Sequence, residues 1–155
     1  MKKLAVIAMA AAVLLILAGC GGSSQSSAAS SGSAEASSSQ SSAKAFDGSA
    51  FADTGEGTMY LRTAGGTSEG GNVPEIAAKS NSIMQIEIDT EGMDGSVCTV
   101  YVDGVENTTV NAGDRSQNAL TLQGDALAAG THTVELVKMD GDKPAIYKKA
   151  EYKVA

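Results

Sequence analysis

From residue 58 onward the apolar side chains of this chain recur at every second position, without the three-and-four spacing of a helix. Successive side chains of a strand point to opposite faces, so a period of two builds half-buried strands. Residues 58–63 (TMYLRT) set Met59 and Leu61 against Tyr60 and Arg62. Residues 82–89 (SIMQIEID) set Met84, Ile86 and Ile88 against Gln85, Glu87 and Asp89. Residues 97–102 (VCTVYV) are apolar on both faces, as a central strand is. Asp103-Gly104 follows, the strongest short-range hairpin signal, and residues 105–110 return. Residues 119–122, 131–139 and 145–154 complete a set of seven strands, the last two joined by the turn cluster DGDKP. Short strands at this spacing predict an all-β fold, a single antiparallel β-sandwich over residues 46–155.

Part of that region resembles a known architecture. In LTLQGDALAAGTHTVELV, residues 120–137, a strand is followed by a short loop ending in Gly130 and a strand carrying His132, Val134 and Leu136. This is similar to the late strands of bacterial immunoglobulin-like domains and implies an immunoglobulin-like sandwich. The Trp and the cysteine pair of antibody domains are absent.

The N-terminus is of another kind. Met1-Lys2-Lys3 is a basic start, and residues 4–17 (LAVIAMAAAVLLIL) are an unbroken apolar run of 14. As a helix that run reaches about 21 Å, short of a bilayer core of about 30 Å. A basic start, a short apolar segment and small residues at its end are the anatomy of a secretory signal peptide, here residues 1–19. Leu17-Ala18-Gly19-Cys20 resembles the lipobox of bacterial lipoproteins. That resemblance implies cleavage before Cys20 and a diacylglyceryl thioether on its sulfur, and two acyl chains anchor a protein firmly to a membrane.

Residues 20–45 are Cys20 and a Ser-rich linker. Residues 21–45 hold 12 Ser, 6 Ala and 3 Gly in 25 positions and no large apolar side chain. Such a composition buries too little apolar surface to offset its ordering entropy, so disorder is expected. As a flexible chain it spans about 25–30 Å end to end. Serine tethers directly after a lipobox are common among lipoproteins of Gram-positive bacteria, and the resemblance implies an extracytoplasmic, lipid-anchored protein of such a cell.

Cys98 is the one cysteine left in the mature chain, so no intramolecular disulfide can form and the fold must stand on its core. Without Lys2 and Lys3, 9 basic side chains face 18 acidic ones, a formal charge of −9. That balance argues against nucleic acid as a partner.

The residues that could carry chemistry are few. His132, the only histidine, shares a strand face with Val134 and Leu136 and is expected to be buried, uncharged and hydrogen-bonded. Cys98 lies on the face of Val100 and Val102 and reads as a core residue. Ser41-Ser42-Ala43-Lys44 has the Ser-x-x-Lys spacing of penicillin-recognising enzymes but falls in the linker. Glu87, Asp89, Glu91 and Asp94 form an acidic group in which DTEGMDG, residues 89–95, places carboxylates on a loop at a sandwich end, suited to a solvated turn or a calcium ion, although the spacing departs from the EF-hand pattern. Residues 64–72 (AGGTSEGGN) form a glycine-rich connection, expected to be mobile, without the Gly-Lys-Ser/Thr ending of a phosphate loop. Tyr60, Tyr101, Tyr147 and Tyr152 are the only tyrosines; carbohydrate-binding sandwiches stack sugars on exposed aromatics, and the absence of Trp argues against that here, with Tyr152 expected to face the core and Tyr147 the opposite side. Lys138, Lys143, Lys148, Lys149 and Lys153 gather in the final hairpin, where they would blunt a sheet edge or dock an anionic wall polymer.

No metal-ligand set, nucleophile elbow or cofactor motif emerges, and a two-lobed transport receptor needs more chain. The expectation is a non-enzymatic lipoprotein without cofactor or metal, Cys20 its lipid attachment site. Its partners would be the membrane, through the anchor, and an envelope protein or wall polymer. The alternative is a dedicated carbohydrate- or wall-polymer-binding module.

Overall fold

The computed structural model describes residues 45–79 and 81–155. The signal peptide, the lipobox with Cys20, the Ser-rich linker up to residue 44 and the Ser41–Lys44 spacing lie outside the described residues. Two sheets are formed, of four and five strands. The first runs in the order β2 (Gly66–Thr67), β1 (Thr58–Thr63), β4 (Ile83–Glu91), β7 (Arg115–Gln123). The second runs β3 (Glu75–Ile76), β9 (Lys143–Val154), β8 (Gly130–Asp140), β5 (Ser96–Val102), β6 (Val105–Ala112). The protein is thus an all-β sandwich, and β1-β4-β7 against β9-β8-β5-β6 follows the immunoglobulin-like strand order. The seven expected strands are there; β2 and β3 are two-residue additions. One pairing departs from the expected antiparallel pattern, because β3 lies parallel to the end of β9.

The period-two reading shows directly in the burial. Leu61, Ile86, Ile88, Leu120 and Leu122 of the first sheet meet Cys98, Val100, Val102, Val134, Leu136 and Tyr152 of the second in one cluster. Each fully buried side chain of this size contributes about 1.5–3 kcal/mol relative to exposure, and Cys98 is a free thiol within the cluster. The β5–β6 hairpin turns at Asp103 (φ 51°) and Gly104 (φ 76°). Two consecutive positive φ values make the tight turn whose twist matches the flanking strands.

Residues 45–54 show no period in sequence, and they take the outer side of the second sheet. Phe46 stacks on Tyr101 at 4.7 Å between ring centroids, and Phe51 packs against Tyr147 at 5.9 Å. With Val137 they make a second apolar cluster, outside the sandwich. The strap is pinned at both ends by backbone bonds, Phe46 N to Gly104 O at 2.7 Å and Thr54 N to Tyr147 O at 3.0 Å. At its middle Tyr147 donates its hydroxyl to Glu135 at 2.7 Å, with the Gly48 carbonyl 3.1 Å from the same oxygen. A Cβ at Gly48 would collide with the Glu135 carboxylate, so the strap lies this close only with glycine there.

Candidate functional site

Among the described residues, the outer side of the first sheet has no such cover. Strand β1 puts Tyr60 and Arg62 on it, and register places Tyr60 opposite Asp89, which in turn sits opposite Gln117 of β7. Asp89 is 3% exposed although it faces outward. Its Oδ2 accepts from Arg62 Nε and Nη2, each at 2.9 Å, while Oδ1 is buried with no protein partner. A buried acceptor left unmade costs about 1–3 kcal/mol, so Oδ1 is a standing demand for a donor. Asp89 holds the Arg62 guanidinium further above its ordinary pKa. Tyr60 donates its hydroxyl to Glu91 Oε1 at 3.1 Å, and that bond raises the phenol's pKa.

Two cavities meet at this pair. The larger, about 570 Å³, lies beside β1 between the glycine-rich segment and β9, and its walls include Tyr60, Glu69, Gly70, Glu91, Lys149 and Glu151. The smaller, about 220 Å³, sits on the sheet face between Tyr60, Asp89, Glu91, Arg115 and Gln117. Tyr60 and Glu91 line both, so they form a shared wall. The carboxylates of Glu69, Asp89, Glu91 and Glu151 outnumber the cations Lys149 and Arg115. Such a surface offers acceptors to donating ligands and repels anions.

Several sequence expectations change here. The acidic group is not a loop cluster: Asp89 and Glu91 belong to β4, Asp89 is committed to Arg62, and Asp94 is held by Ser96. The Ser96 hydroxyl bonds to Asp94, followed by its backbone N–H at 2.9 Å, and both lower the Asp94 pKa. Among the described residues no three metal-ligating side chains converge. The glycine-rich segment lines the larger cavity and is tied to β1 at Ser68. Ser68 is buried, accepts from Leu61 N at 2.8 Å through its hydroxyl and donates its own N–H to Leu61 O at 2.9 Å.

His132 is buried, as its strand position predicts, and the acceptors around it favour the charged ring over the neutral one expected. Nδ1 lies 2.6 Å from Asp103 Oδ2 and Nε2 lies 2.8 Å from the Ala128 carbonyl. Both partners accept, so the ring is best satisfied with both nitrogens protonated. Burial alone would lower its pKa; the Ala128 carbonyl and the Asp103 carboxylate outweigh that and raise it. Tyr152 stacks on the ring at 5.1 Å and donates to Ala126 O at 2.6 Å. Burial raises the Cys98 thiol pKa, the opposite of an activated nucleophile.

β9 is flanked by β8 on one side and on the other only at its end by β3 and at Tyr147 by Thr54, so most of it remains a sheet edge. Lys148 is buried and donates to Asp53 at 2.7 Å and Gly55 O at 3.0 Å. Lys153 pairs with Glu75 at 3.1 Å and Lys138 donates to Ser96 Oγ at 2.6 Å, while Lys143 and Lys149 are exposed. The five therefore form no common patch. Sequence reasoning missed the strap and the burial of Asp89. The signal for the strap was available: the chain's only two phenylalanines, Phe46 and Phe51, stand in a stretch with no strand period. The chain matches no protein-family model and no curated protein.

Proposed function

We propose that this protein is a bacterial lipoprotein of the Gram-positive type, anchored outside the cell membrane through Cys20, whose sandwich serves a non-enzymatic binding role in the envelope. The observation that carries this reading is the order of parts along the chain. A basic and apolar start ends in Leu-Ala-Gly-Cys, a Ser-rich spacer follows, and Phe46, the first large apolar residue after the spacer, is already packed on Tyr101. A binding rather than a catalytic role is supported by the engaged state of His132, Cys98 and Ser96. Both ring nitrogens of His132 have acceptors, Cys98 is in the core, and the Ser96 hydroxyl lies between the Lys138 ammonium and the Asp94 carboxylate. A carbohydrate- or wall-polymer-binding module is the second reading, favoured by the position of Tyr60 between two cavities.

Metabolic labelling with an alkyne fatty acid tests the anchor. The wild-type protein is expected to take label and to sediment with membranes, and Cys20→Ser to do neither. Label retained by Cys20→Ser would overturn the lipoprotein reading.

A further inference from the structure

We propose that the double cavity at Tyr60 is a binding site for a neutral, hydroxyl-rich chain, an oligosaccharide, laid across the Tyr60–Glu91 wall. This rests on the reading that the sandwich binds something, and is independent of how the protein is anchored. Three observations converge on the ligand's chemistry.

The first is the aromatic. Tyr101, Tyr147 and Tyr152 are all consumed by the fold, at 6%, 2% and 0% exposure, whereas Tyr60 is only half-buried and borders both cavities. A sugar ring offers a face of C–H groups to an aromatic ring and hydroxyls around its rim, and tyrosine answers both with an apolar body and a polar tip. The second is Asp89. One of its oxygens is occupied twice over by Arg62, and the other is buried, unpartnered and part of a residue that lines the smaller cavity. That carboxylate, set beside the smaller cavity and closed to solvent at Oδ1, disfavours an ionised phosphate or carboxylate there. The third is charge. Glu69, Glu91 and Glu151 repel polyanions, while Arg62 on Asp89, Arg115 and Lys149 keep the site from being a simple cation trap. What remains is a ligand rich in uncharged donors. Two cavities sharing one wall suit a chain with units on either side of Tyr60 rather than a single ring.

The test is calorimetric titration of the full chain, held in a zwitterionic detergent, with four probes: cellotetraose, chitotetraose, polyglycerol phosphate and an octalysine peptide. At least one of the neutral tetrasaccharides is expected to bind, and both charged probes to give no heat of binding. Tyr60→Ala and Asp89→Asn are each expected to weaken that binding by about tenfold or more, with circular dichroism melts showing that both variants are folded. Should Asp89→Asn fail to fold, Glu91→Gln takes its place with the same expected loss. The proposal is overturned if neither tetrasaccharide binds at millimolar concentration or if a charged probe binds more tightly than both. Wild-type affinity in folded Tyr60→Ala overturns it equally. Failure of Cys20 labelling with intact sugar binding would remove the anchor and leave this site standing.

Discussion

The two outer faces of the sandwich carry similar raw material and end differently. Each has a tyrosine-bearing strand and a buried carboxylate. On the second sheet Tyr147 donates directly to Glu135, and Phe46 and Phe51 cover the aromatic rings. On the first sheet Asp89 is satisfied on one oxygen only, and Tyr60 borders open space on both sides. The difference is the strap. Where ten residues from the end of the linker lie across a sheet, its polar groups find partners and its aromatics become core. Where no described residue lies across, an acceptor and an aromatic are left for something else. A fold's own demands explain the first face; they do not explain the second.

The sharpest way to break the comparison is to remove the cover. Phe46→Ala combined with Phe51→Ala should cost about 3–5 kcal/mol, below the sum for two fully buried rings because both are half-buried. A denaturant melt measures it, and the variant should also bind a hydrophobic dye that the wild type does not. Next in size is the clasp between Asp103 and His132, at the edge of the covered face. His132→Ala should cost about 1–3 kcal/mol from lost packing and two unpaired acceptors. The clasp also has a pH signature. Below about pH 6.5, the ordinary value, His132 is protonated folded and unfolded alike and the clasp contributes in full. As pH rises past that value the unfolded chain loses its proton first, so stability falls until folded His132 has also deprotonated. Melts between pH 6 and pH 8 should show this decline in the wild type and a flatter profile in His132→Ala.

Tyr147→Phe should cost about 1–2 kcal/mol, because it leaves the buried Glu135 without its hydroxyl donor. Tyr60→Ala belongs at the bottom of the order. Its ring is half-buried and its hydroxyl bond is exposed, so a melt should move by no more than about 0.5 kcal/mol. A large loss at Tyr60 would mean that the open face is structural after all.

How much of this was legible beforehand depended on whether a residue's role is local. Strand positions were, because period two is a property of neighbours: Ile86, Ile88, Val134 and Leu136 face the core as the alternation requires. The Asp103-Gly104 hairpin was, because its φ demand is written in the residue types. The burial of His132 was legible, and the acceptors that favour its charged form were not. Its strand face is local, but Asp103 and Ala128 reach it from a hairpin tip and a loop whose positions only the folded chain sets. Asp89 was read as a loop acid because its sequence neighbours are acidic; Arg62, 27 residues away, decides its environment. Nothing local marked Tyr60 out; it stands apart because packing buries Tyr101, Tyr147 and Tyr152.

The central claim, that one outer face is sealed by the fold and the other left open, is tested most directly by hydroxyl-radical footprinting read residue by residue in a mass spectrometer. In the native protein Tyr60 should be the tyrosine that takes label, with Tyr101, Tyr147 and Tyr152 protected; in the Phe46→Ala/Phe51→Ala variant Tyr101 and Tyr147 should become labelled while Tyr60 and Tyr152 stay unchanged. Labelling of Tyr101 or Tyr147 at the level of Tyr60 in the native protein would contradict it.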